Sequence, residues 1–277
     1  MGKDAGFICT IVCTVYIYAF KIKMSSLLRK ALSKHQEISK SGFRYRGTEV
    51  SRLENLTDAV FGFAITLLVI ASEVPRSYVE LQASMYDFVG FLFCAFLLLG
   101  IWNNHKNFFL YYGLKDGLSQ SLNFIFLFVL LFYIYPLKYL FSFVGSGLFI
   151  VLLKKVDFES EAMNIAMKRI AESNMTTDQW ADLLVRFGIG LVLIYFIFMV
   201  MHLNAYKKRK ELKLNTLEKH ETLTFIYSFL ALILISGSSI SVVAIGGGAY
   251  SPHAGFVYLS IPVILPIIKS FRSRKFK

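Results

Sequence analysis

The sequence predicts an all-α integral membrane bundle with six transmembrane helices per subunit, and three observations carry that prediction. The 277 residues are 56% hydrophobic and only 17% charged, with a mean hydropathy of +0.56; soluble domains have roughly a quarter of their residues charged. Apolar runs near 20 residues recur along the chain, about the length that crosses a hydrocarbon core as a helix. The basic excess, 30 Lys and Arg against 18 Asp and Glu, sits between those runs. There it orients a membrane protein, so nucleic acid is not the expected partner. Three cysteines cannot make a disulfide framework.

The first apolar segment, Gly6–Phe20, is short for a span at about 22 Å. It is compatible with a signal-like segment, an interfacial helix or an upstream start codon ahead of Met24. Residues 1–49 are therefore read as an N-terminal extension, a short apolar piece followed by a basic stretch. The six-span domain runs over 50–277.

Six runs in that domain are long enough to span: roughly 54–72, 87–105, 118–140, 182–203, 222–245 and 254–269. The third continues past Pro136 to Leu153. A long helix kinked at Pro136 is the favoured form; a separate half-span over Phe141–Leu153 is the other. The last run is short and holds Pro262 and Pro266, which a span tolerates where neighbours satisfy the freed carbonyls.

Lys and Arg collect on the cytoplasmic side. They are dense before the first run (Arg44, Arg46, Arg52), between the fourth and fifth (Lys207, Lys208, Arg209, Lys210), and in the tail (Lys269, Arg272, Arg274). The loop 73–87 carries only Arg76 and the loop 246–255 no charge. Six spans in a cell membrane, with both flanks of the six-span domain cytoplasmic, satisfy every loop. The polar insert 154–181 then lies outside, and Ile165, Met167 and Ile170 among charges suggest an amphipathic helix there, a solvated cap or, less favoured, a regulatory or partner-binding surface.

Most familiar chemistry is absent. The chain has no Gly-Lys-Ser/Thr phosphate loop, and Gly145-Ser146-Gly147 is too isolated for a dinucleotide site. The five histidines show no zinc spacing, and Cys9, Cys13 and Cys94 lie inside apolar runs as small hydrophobes. No catalytic residue, resident metal or cofactor is expected. A Thr-Val-Gly-Tyr-Gly carbonyl filter is missing, and Gly246–Gly248 reads as a loop.

Ionisable groups within spans are candidates for function. The first run holds Asp58, and the second ends Trp102-Asn103-Asn104-His105-Lys106. An antiparallel hairpin centred near residue 80 puts Asp58 level with Trp102, with His105 one turn below. Thr57, Asp58, Asn104 and His105 are expected to gather near the inner boundary. Such a cluster either locks two helices together or titrates during gating.

The stretch Arg52-Leu53-Glu54-Asn55-Leu56-Thr57-Asp58, followed by Ala59–Ile70, resembles the first span of the transmembrane protein 175 family of lysosomal and prokaryotic potassium channels. The family hallmark is Arg/Lys-x-x-x-Phe-Ser-Asp with a following stretch like Ala-Ile-Thr-Leu-Leu-Val. This chain keeps Arg52 and Asp58 but has Leu56 for the Phe and Thr57 for the Ser. Trp102-x-x-His105 and Phe108 resemble the second-span Trp-x-x-His-His-x-x-Phe, with Lys106 in place of the second His. The likeness covers about residues 50–140.

The resemblance implies a cation channel that prefers potassium over sodium and has a pore lined by the first helices of its subunits. The motif occurs once, so a homotetramer is expected. At 100° per residue, Leu56, Ala59, Phe63, Thr66, Leu67 and Ile70 lie within about 60° of Phe63. Four such stripes make a hydrophobic constriction that gates by dewetting, with Phe63, Leu67 and Ile70 as its rings. Thr66 supplies the side-chain oxygens for a potassium ion in transit. Either Phe63 or Leu67 forms the seal. The competing expectation is a secondary or proton-coupled transporter with Asp58 and His105 as relay, disfavoured because no second copy of the motif is present.

Overall fold

A computed structural model of the chain describes residues 38–39, 42–70, 75–86, 88–154, 160–172 and 175–276. The apolar segment at 6–20 lies outside these. The chain divides into two compact units, Met1–Arg46 and Gly47–Lys277. In the first, Ile38 and Arg44 bridge across a turn, with Gly42 at φ 84°.

The second unit is helical. Its described residues form α1 (Arg52–Ile70), α2 (Tyr78–Tyr86), α3 (Phe88–Tyr112), α4 (Gly117–Lys154), α5 (Glu161–Glu172), α6 (Thr177–Lys207), α7 (Thr216–Gly246), α8 (Ser251–Val257) and α9 (Ile261–Phe276). Several starts are written locally. Ser51 Oγ accepts from Glu54 N–H while Glu54 Oε1 accepts from Ser51 N–H. The same reciprocal box joins Thr176 with Gln179 and Asn215 with Glu218, satisfying N–H groups that a helix start leaves open. Gly113 (φ 57°) and Gly247 (φ 68°) end α3 and α7 in a left-handed conformation that residues with a Cβ rarely adopt.

Helices α3, α4, α6 and α7 and the segment His253–Ser273 are each long and apolar enough to cross a membrane. The sixth span is α1, 19 residues long. It is apolar from Ala59 onward, while Arg52, Glu54 and Asp58 charge its first two turns. Across Pro136, α4 runs unbroken for 38 residues. The favoured long helix is therefore the form observed, and no half-span separates from it. The last span is segmented. A short 3-10 turn, Tyr258–Ser260, joins α8 to α9, and Pro262 sits in the first turn of α9, where a missing N–H leaves no bond unmade.

Packing runs α1 to α3 and α4, then α4 to α6, α6 to α7, and α7 to α9. This order sets α9 at the far end of the bundle from α1. Backbones touch where Gly90 of α3 crosses Gly145 of α4; a Cβ on either glycine would meet the other helix's backbone. Outside the spans, α5 packs on α2. Met163 and Ala166 are buried there against Tyr86 and Met167, and Tyr86 Oη lies 3.2 Å from Ser160 Oγ. The buried face of α5 is thus Ala162, Met163 and Ala166, with Ile165 half-buried and the Ile170 side chain outside the described set. The insert therefore contributes a packed layer against α2.

Candidate functional site

The two faces of α1 differ sharply. Thr57, Phe61, Ala64 and Leu68 recur at helical spacing and are buried, packed where α1 meets α3 and α4. On the opposite face Leu56, Ala59, Gly62, Phe63, Thr66 and Val69 are exposed. Leu67 is half-buried at the flank, and the side chain of Ile70 lies outside the described set. The open arc is centred near Thr66 and Ala59, rotated by about 50° from the stripe centred on Phe63. Packing sets this angle: the buried residues center about 130° from Phe63, so the arc opposite them admits Gly62 and Val69 and demotes Leu67.

The Thr66 hydroxyl donates to the Phe63 carbonyl at 2.7 Å. Its proton is therefore committed to its own helix, and the oxygen lone pairs remain available as acceptors. Phe63 is 57% exposed and stands one turn before it.

The polar residues at the start of α1 divide into two sets. On the exposed side, Trp102 Nε1 donates to Asp58 Oδ1 at 2.7 Å, the pair that hairpin register sets level, and the Lys106 ammonium lies 5.2 Å from the Trp102 ring centre. On the buried side, Thr57 Oγ1 donates to the Leu53 carbonyl and accepts from Asn123 Nδ2 at 3.0 Å. Asn123 Oδ1 can only accept, so the 2.5 Å contact with His105 Nε2 is a donation from the imidazole. His105 also stacks on Phe126 with ring centres 5.4 Å apart. The expected cluster of Thr57, Asp58, Asn104 and His105 is thus two networks. Asp58 and His105 have different partners, and Asn104 Nδ2 donates to the Gly100 carbonyl of its own helix. Arg52 is exposed at the mouth of α1.

Three residues in this region escape sequence reasoning. Asn123 of α4 is the hub of the buried network, yet a lone amide in an apolar run gives no hint of which helix it faces. Lys138 of α4 lines a crevice of about 420 Å³ with Leu68, Val69, Met85, Phe88 and Cys94. The rule that singles out Asp58, an ionisable group inside an apolar run, also marks Lys138. Asp116, between α3 and α4, ties the start of α4 to the end of α6. Ser119 Oγ donates to it at 2.7 Å, Asn204 Nδ2 at 3.0 Å, and Lys208 Nζ lies at 3.1 Å. Burial alone would raise its pKa; the bonds from Ser119, Asn204 and Lys208 outweigh that and hold it below the usual carboxylate value.

Among the described residues no group of His, Cys, Asp and Glu could hold a metal ion. A family model described as endosomal/lysosomal potassium channel TMEM175 matches residues 52–133, which covers α1, α3 and the first half of α4 with both polar networks. A protein named potassium channel from Marivirga tractuosa is 34% identical over 242 residues, covering 84% of this chain and 93% of that one. A crystal structure of a variant of the potassium channel MtTMEM175, bound to a nanobody–MBP fusion, aligns with a TM-score of 0.71 and 32% identity, covering 86% of this chain and 99% of that chain.

Proposed function

From the premise that the chain belongs to the TMEM175 family of potassium channels and is a multi-pass membrane protein, not an enzyme, we propose how it conducts. Four copies assemble around an axis lined by α1, in a cell membrane with the flanks of the six-span domain cytoplasmic. The exposed arc of α1 faces that axis. Phe63 forms the narrowest apolar ring, and Leu67 and Ile70 extend the dry zone toward the outer end, about 10 Å from the first ring to the last. An apolar pore of that length resists wetting when narrow.

One observation carries this reading: α1 buries Thr57, Phe61, Ala64 and Leu68 on one side, and from Ala59 onward its exposed arc is apolar with a single hydroxyl. A potassium ion entering the arc meets the Thr66 oxygen, whose proton points back to Phe63. Four such oxygens replace part of the ion's water and favour the more weakly hydrated cation. Selectivity over sodium is accordingly moderate, without a carbonyl cage. Asp58, Trp102, Thr57 and His105 hold the base of α1 against α3 and α4, so they position the pore helix; Arg52 and Asn104 sit beside them at its inner mouth. The carrier reading with Asp58 and His105 as a relay has no observation in its favour.

The test is single-channel recording from purified protein in bilayers under a potassium gradient with sodium opposite. Unitary currents with a reversal potential displaced toward potassium are expected. Flux only at carrier rates overturns the proposal.

A further inference from the structure

At the far end of the bundle from α1, helices α7 and α9 leave a crevice of about 430 Å³ between them. Its walls are apolar, with Leu230 and Leu234 on α7 and Ile267 and Phe271 on α9, all four exposed. One end is different. Arg272 of α9 lines it, and the guanidinium is held in place there. Its Nε donates to Thr224 Oγ1 at 2.8 Å, an Nη donates to the His220 carbonyl at 3.2 Å, and its carbon lies 4.9 Å from the centre of the Tyr227 ring.

These contacts use two of the five N–H donors of a guanidinium and fix its plane without neutralising it, since none of the three partners is an anion. The group therefore keeps a full charge and donors for a further acceptor. Loop charges put this end of α9 on the cytoplasmic side, where Lys269, Arg274 and Lys275 add to the positive field. A greasy slot opening toward lipid, closed at the headgroup level by an oriented cation in a positive field, complements one chemistry: a phosphodiester headgroup of net negative charge on acyl chains, with no choline cation to be repelled. Basic sites between helices on this side recognise lipid headgroups in the same way.

We infer that the α7–α9 crevice binds one anionic glycerophospholipid of the inner leaflet, with its phosphate on Arg272 and an acyl chain against Leu234 and Ile267. The site lies away from α1, so it is independent of the pore assignment.

The test uses the full-length protein in detergent, titrated with phosphatidylglycerol or phosphatidylcholine, with thermal stability and native mass spectrometry as readouts. Phosphatidylglycerol is expected to raise the melting temperature in a concentration-dependent way and to leave at least one bound lipid per chain, while phosphatidylcholine does neither. Arg272→Gln is expected to weaken phosphatidylglycerol binding by roughly fivefold, the worth of one juxtamembrane basic residue. Ile267→Trp fills the slot, leaves the Arg272 contacts in place, and is expected to remove the bound lipid. Equal effects of the two lipids overturn the inference, as does a phosphatidylglycerol effect that survives Ile267→Trp. So does a crevice that takes up neither lipid because a second copy of the chain closes it.

Discussion

Replacing Asn123 by leucine is the sharpest test of how α1 is held in place. The amide accepts from His105 at 2.5 Å and donates to Thr57 at 3.0 Å, joining α4 to α3 and α1 at once. His105 is 1% and Thr57 0% exposed, so no water replaces the lost partner. Interhelical hydrogen bonds in membranes average about 0.6 kcal/mol and reach about 1.7, so loss of both bonds predicts about 1–3 kcal/mol of destabilisation. Unfolding titrations with SDS in mixed micelles measure this directly. His105→Leu in the Asn123→Leu background removes the stranded donor, so the double variant is expected to be less damaged than the two single effects added. A coupling near 1 kcal/mol is the signature of direct contact. Asp58 and His105 have separate partners, and their coupling is expected to stay below about 0.5 kcal/mol. An Asn123→Leu protein within about 0.5 kcal/mol of the parent, or a large Asp58–His105 coupling, would refute this account of the base of α1.

Other perturbations reach the remaining parts. Thr66→Val keeps the shape and removes the oxygen, so bi-ionic reversal potentials should shift toward no preference between potassium and sodium. Phe63→Ala opens the proposed narrowest ring and should raise conductance or open probability in single-channel records, whereas Leu67→Ala, at the half-buried flank, should change it less. Gly145→Leu places a side chain into the backbone of Gly90; a loss above about 2 kcal/mol in the same SDS titration is expected from overpacking. Asp116 titrates below its usual value in the folded chain, so its contribution is fully present above about pH 4 and fades as pH falls through the lowered folded value. Asp116→Asn should flatten that acid limb in a pH series of melting temperatures.

The spans were readable because lipid enforces length and apolarity residue by residue. Even the Asp58–Trp102 register follows from counting outward from a hairpin loop. What could not be read is rotation about the helix axis. Nearly every residue of α1 beyond Ala59 is apolar, so periodicity centres the stripe on Phe63, while packing of Phe61, Ala64 and Leu68 turns the open arc toward Thr66 and Gly62. The same blindness hides Asn123, whose partners come from two other helices. In α5 the buried face is made of Ala162, Met163 and Ala166, with Met163 packed on Tyr86, and Ile165 falls at its edge.

The unbroken course of α4 past Pro136 has a mechanical consequence. Thirty-eight residues make a rod of about 57 Å, nearly twice the thickness of the hydrocarbon layer. Its first part, Gly117–Phe143, is by itself long and apolar enough to cross a membrane, and the remaining turns carry the same helix on toward α5. One continuous helix thus links the corner at Asp116, the Asn123 hub and the layer that α5 forms on α2.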